Sequence, residues 1–173
     1  MKKTHIIRLH HPSGQLYSAF CDFVGSHPQA GFFQSDIWCS LLQQWKEADC
    51  ILLLAIDSRQ KILGSLVAAR LRMRGKSRLW GLLPEKAYRS LTTACQVIGG
   101  PLLAEGSELQ HNQCLDMLLE ALVAETKKES LYVELRNEKD WSAQSLIFRD
   151  HGFEFHTHQN QLIDVFSRDD IWE

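Results

Sequence analysis

The chain has 173 residues, 45% hydrophobic and 23% charged, which fits one soluble globular domain and excludes a disordered chain. With 19 Lys+Arg against 21 Asp+Glu the net charge is −2, so there is no global pull toward nucleic acid or membrane and any such contact needs a local patch. The five cysteines, Cys21, Cys39, Cys50, Cys95 and Cys114, include no C-x-x-C pair, which argues against a disulfide framework or zinc ribbon and suits a reducing, cytoplasmic compartment.

The basic start Met1 to Arg8 lacks the apolar stretch of a signal peptide, and no run approaches the ~18 apolar residues of a membrane helix. His5 to Leu9 reads as a short strand ended by the turn composition His11-Pro12-Ser13-Gly14. Leu16, Ala19, Phe20, Phe23 and Val24 recur at helical spacing, with Gly25 to Pro28 as the stop. Ser35 caps a second predicted helix whose apolar face is Ile37, Trp38, Leu41, Leu42 and Trp45. Cys50 to Ile56 and Ile62 to Met73 form a predicted antiparallel hairpin around the polar loop Asp57 to Lys61.

Gly75, Gly81 and Pro84 interrupt every periodicity between Arg74 and Ser90. Thr92 to Ile98 is the next predicted strand, closed by Gly99-Gly100-Pro101, and a polar loop Glu105 to Gln113 follows. Leu115, Leu118, Leu119, Leu122 and Val123 then mark the clearest helix, ending near Lys127-Lys128. Leu131 to Leu135 reads as a strand. Ser142 to Asp150 reads as a short helix that turns Leu146, Ile147 and Phe148 to the sheet and has Gly152 as left-handed cap. Gln161 to Phe166 is the last predicted strand. There are no repeats or linkers.

Arg70, Arg72, Arg74, Lys76 and Arg78 alternate, so an extended segment puts them on one face while Val67, Ala69, Leu71 and Met73 face the core. Arg72 and Arg74 are thus candidates for an anion such as a diphosphate or a tRNA backbone, the alternative being a solvated outer face. His151, His156 and His158 are close in sequence, and His156, His158 and Glu154 share a face if that segment is a strand. That set is short of a preorganised zinc site, and surface histidines are the default. Arg136 and Asn137 lie at the carboxyl end of a strand, a favoured ligand position, though Asn137 equally suits a turn. The cysteines read as inert buried thiols.

The element order, with Arg136-Asn137 and Ser142 to Phe153 ending in Gly152-Phe153, resembles a GNAT acyltransferase domain. The resemblance implies an α/β (α+β) fold with a mixed, mostly antiparallel central sheet flanked by helices on both faces. Phe33-Gln34-Ser35-x-x-Trp38, Gly99-Gly100-Pro101-Leu102, and Gly152-Phe153 with Asn160 to Asp164 resemble the N-terminal GNAT-like half of the Fem family of peptidoglycan-bridge aminoacyltransferases. That implies one domain over residues 1–173, standing alone or as the N-terminal half of a two-domain protein. It also implies Gln34 and Trp38 in a substrate groove, a peptidoglycan precursor as acceptor, and aminoacyl-tRNA or acyl-CoA as a donor rather than a tightly bound cofactor. The loop Glu105 to Gln113 departs from the family: it has one glycine, two acids and no arginine where the GNAT phosphate loop reads Q/R-x-x-G-x-G/A. A non-catalytic module or a small-molecule N-acetyltransferase with a diverged CoA loop are the alternatives.

Overall fold

A computed structural model of the chain describes residues 4–10, 13–72, 91–137 and 139–156. The elements are β1 (His5–Leu9), α1 (Gln15–Ser26), a 3-10 turn (Phe32–Gln34), α2 (Asp36–Gln44), β2 (Ala48–Ile56), β3 (Ile62–Arg72), β4 (Thr93–Ile98), β5 (Leu102–Leu103), α3 (Glu108–Thr126), β6 (Tyr132–Arg136), a second 3-10 turn (Ser142–Gln144) and α4 (Ser145–Asp150). The sheet order is β1-β2-β3-β4-β6, with β5 also on β3. Every pair is antiparallel except β4 and β6, which run parallel through Ala94↔Tyr132 to Ile98↔Arg136. This is the mixed, mostly antiparallel α/β sheet that the resemblance implies.

Helices cover both faces. Cys50, Leu52 and Leu54 of β2 and Val67 and Ala69 of β3 pack on Phe20 and Val24 of α1 and Cys39 and Leu42 of α2. Ile51, Leu53, Leu66 and Ala68 pack instead on Cys114, Leu118 and Leu122 of α3, together with Cys95 and Val97 of β4. Burial on both sides explains why β2 is continuously apolar rather than alternating. No residue of β4 or β6 enters the cluster under α1 and α2.

Three expectations need correction. The apolar face of α2 is narrower than its composition suggests. Cys39 and Leu42 are buried, but Ile37, Leu41 and Trp45 are 59%, 47% and 53% exposed, because they follow an i, i+4, i+8 stripe turned away from β2. α3 begins at Glu108, inside the predicted polar loop. Ser107 and Gln110 form a reciprocal capping box, with Ser107 N–H donating to Gln110 Oε1 at 3.1 Å and Gln110 N–H to Ser107 Oγ at 3.4 Å. Leu146 is 70% exposed, since a 3-10 turn precedes α4 and only Phe148 of that helix is buried.

Gly152 adopts φ +83°, and its N–H and that of Phe153 bond back to the carbonyls of Arg149 and Phe148, the predicted cap. Among the described residues no helix is long and apolar enough to cross a membrane.

Candidate functional site

The parallel pair β4–β6 ends where the Gly99 N–H donates to the Arg136 carbonyl at 2.8 Å. Beyond that bond the two chains part. Gly99 and Gly100 take φ +83° and +78°, conformations that cost little only for glycine, and swing the chain back so that Leu102 and Leu103 pair with Ser65 and Gly64 of β3. β5 therefore leans toward β3, and the chain after β6 goes its own way. The sheet opens as a wedge at the carboxyl ends of two parallel strands, where open α/β sheets take ligands.

Asn137 and Trp141 lie at this opening. A Cβ on Gly100 would sit 2.4 Å from Asn137 Oδ1 and 3.6 Å from Trp141 Nε1. Neither atom has a hydrogen-bond partner among the described residues, although both are buried. An unpaired buried donor or acceptor costs roughly 1–3 kcal/mol, so the two atoms mark a place where polar contacts are owed. The Trp141 ring is held by Leu115, Leu119 and Phe148, and the Lys139 ammonium stands 4.6 Å from its centroid.

The Leu103 carbonyl of β5 and the Ala104 carbonyl just after it are already engaged. His27 Nδ1 accepts from Gln29 N–H at 3.2 Å, which leaves the ring proton on Nε2 to donate to the Leu103 carbonyl at 2.9 Å. His111 Nε2 donates to the Ala104 carbonyl at 2.8 Å. The N-terminus of α3 just beyond carries the Ser107–Gln110 box, with Glu105 and Glu108 beside it. Two carboxylates and a filled cap oppose an anion there.

On the sheet face opposite α3, Gln96 of β4 stands directly beside Glu134 of β6. Gln96 Nε2 donates to Glu134 Oε2 at 3.1 Å, and Arg136 Nε donates to Glu134 Oε1 at 3.0 Å. The Glu134 carboxylate beside Arg136 raises its guanidinium further above its usual range. Glu134 and Gln96 escape sequence reasoning because nothing in either strand alone shows the parallel register that joins them.

Of the predicted site residues, Gln34, Arg136 and Asn137 come together at the wedge. Gln34 is buried: its Oε1 accepts from Gly31 N–H at 2.6 Å and its Nε2 donates to the Gly100 carbonyl at 3.2 Å, so it braces the wedge from behind. Trp38 is half-buried in an aromatic group, edge-on to Phe33 at 5.1 Å and tilted to Phe32 at 5.8 Å. Arg136 and Asn137 are at the wedge. Arg72 is exposed at the far end of β3, and Arg74 lies outside the described residues, as do Lys76 and Arg78. Arg70, from the same cationic series, faces α3. It pairs with Asp49 at 3.4 Å and with Glu129, and bonds the Glu125 carbonyl at 3.1 Å. His151 bonds Asp116 of α3 at 2.8 Å, and His158 lies outside the described residues.

No family model and no curated protein sequence matches the chain. Solved structures do. A ribosomal-protein-alanine N-acetyltransferase from Brucella melitensis biovar Abortus 2308 superposes with TM-score 0.54 at 15% identity, over 94% of this chain and 99% of that one. An acetyltransferase from Trypanosoma brucei gives 0.55 at 12% identity, over 93% and 99%. The aminoglycoside 6'-N-acetyltransferase AAC(6')-Ih from Acinetobacter baumannii gives 0.55 at 10% identity, over 95% and 100%. The fold is the GNAT fold. At these identities the likeness is one of architecture, so function in this GNAT fold has to be argued from the wedge and the residues around it.

Proposed function

We propose that this chain transfers an acyl group to an amine, with the donor's arm in the wedge between β5 and β6 and the acceptor on the sheet face at Glu134. The observation that carries this reading is the pair of unpartnered buried atoms at the opening. Trp141 Nε1–H is a donor and Asn137 Oδ1 an acceptor, together the complement of an amide in an extended ligand. Glu134, held by Gln96 and Arg136, offers a fixed carboxylate to an amine. Transfer from an ester or thioester needs mainly such positioning of the two reactants.

The names of the superposed structures, all acetyltransferases, favour an acyl thioester such as acyl-CoA over aminoacyl-tRNA as donor. The refinement to a Fem-like enzyme with a peptidoglycan precursor as acceptor, and a second GNAT-like domain as partner, rests on the short motifs at Phe33 to Trp38 and Gly99 to Leu102. A non-catalytic module is the second reading, favoured by the capped, acid-flanked N-terminus of α3.

The test is incubation with acetyl-CoA and a panel of primary amines, with mass-spectrometric detection of acylated product. Product from the wild type, and its loss in Glu134→Gln, is the expected result. Donor binding without product from any amine supports the non-catalytic module instead.

A further inference from the structure

The cluster on the face of β4–β6 opposite α3 is more specific than a carboxylate alone requires. Glu134 and Arg136 alternate along β6, so their side chains leave the sheet on the same side, about two residue rises or roughly 7 Å apart at the backbone. Arg136 meets Glu134 through Nε, not through the terminal fork used in a bidentate pair. Its two terminal nitrogens make no hydrogen bond among the described residues, and its side chain is 59% exposed. Glu134 is 28% exposed and fixed from the other side by Gln96. A negative and a positive group thus stand in fixed order, with the guanidinium fork still able to take a planar anion.

Arg136 also supplies the carbonyl that closes the β4–β6 pairing, which puts the pair of charges at the mouth of the wedge. From this we infer that the acceptor is an amino-carboxylate: its ammonium lies against Glu134 and its own carboxylate on the terminal nitrogens of Arg136. The inference rests on the acceptor placement proposed above and adds the second charge. A simple amine would lie against Glu134 and leave the fork of Arg136 unused. An amino acid, or a peptide with an amine near a carboxylate, satisfies both.

Calorimetric titration of the whole chain with L-lysine and with cadaverine, which has the same carbon chain without the carboxylate, tests the inference in the absence of any donor. L-lysine is expected to bind about tenfold more tightly, the scale of one charge-assisted pair. Arg136→Gln removes the charge from an exposed side chain and is expected to erase the preference, read as the ratio of the two affinities on the same variant so that a loosened hold on Glu134 affects both ligands alike; Arg136→Lys, with the charge but not the fork, restores part of it. Equal affinities, no binding of L-lysine at millimolar concentration, or a preference that survives in Arg136→Gln overturns the inference. A stabilisation by acetyl-CoA, measured on the same protein, reports separately on the donor site, so the two failures are told apart.

Discussion

Gln34 Nε2 donates to the carbonyl of Gly100, 3.2 Å away across 66 residues of sequence, and this bond fixes the back of the wedge. The same amide accepts from Gly31 N–H, so one buried side chain joins the turn before α2 to the turn after β4. A Cβ on Gly99 would lie 2.6 Å from Gln34 Nε2, which shows how closely the two turns approach.

Gln34→Ala leaves the Gly31 N–H and the Gly100 carbonyl without their partner in a buried place. Loss of about 2–3 kcal/mol is expected, from two unmade hydrogen bonds at roughly 1–1.5 kcal/mol each. Urea unfolding followed by circular dichroism measures it. Stability equal to the wild type rules out Gln34 as the brace.

Gly100→Ala faces two penalties at once. Its φ of +78° disfavours any Cβ, and that Cβ would meet Asn137 Oδ1 at 2.4 Å. The left-handed backbone alone costs roughly 1–2 kcal/mol. A melting temperature lower by about 3–8 °C follows from the scaling for a chain of this size. Alanine at Gly25, where nothing lies within 4 Å of the new Cβ, is the control and is expected to be neutral or stabilising.

Burial pushes the Cys95 and Cys114 thiols up to about 12, since the core disfavours the thiolate. Their contribution to folding is whole below the unfolded thiol value, roughly 8.5, and is lost as pH rises from there toward the folded value. Stability in urea is therefore expected to fall between about pH 8.5 and 11 by more than in a Cys95→Ala, Cys114→Ala double variant measured against its own value at about pH 7. Alkylation of the native protein at about pH 8 is expected at Cys21 first, the one cysteine that is half-exposed. Rapid labelling of Cys95 or Cys114 contradicts the packing under α3.

Local features are legible in the sequence. Ser35 as cap of α2, Gly152 as cap of α4 and the β2–β3 hairpin each depend on a few neighbouring residues, and each is found. Ser107-x-x-Gln110 carries an equally local signal for the start of α3, but Gly106 and the surrounding acids read as loop. The wedge is not legible in this way. It depends on two residues of β5 choosing β3 as partner, on Gln34 reaching Gly100, and on the parallel register of Gln96 with Glu134. Such long-range pairings leave no periodic trace in the chain. The exposed stripe Ile37, Leu41, Trp45 misleads for the opposite reason, because helical spacing alone does not say which side meets the sheet.

The most direct test of the wedge as the donor site is the thermal unfolding of wild type and Trp141→Phe with and without acetyl-CoA. At about 100-fold excess over the dissociation constant a bound ligand adds roughly 2.7 kcal/mol, or a rise of about 5–10 °C for this size of chain. Trp141→Phe keeps an aromatic ring in the core and removes the unpartnered N–H together with the five-membered part of the indole, so each protein is compared with itself with and without the ligand. A clear rise is expected in the wild type and a distinctly smaller one in Trp141→Phe. No rise in the wild type, or the same rise in both, contradicts the wedge as the donor site.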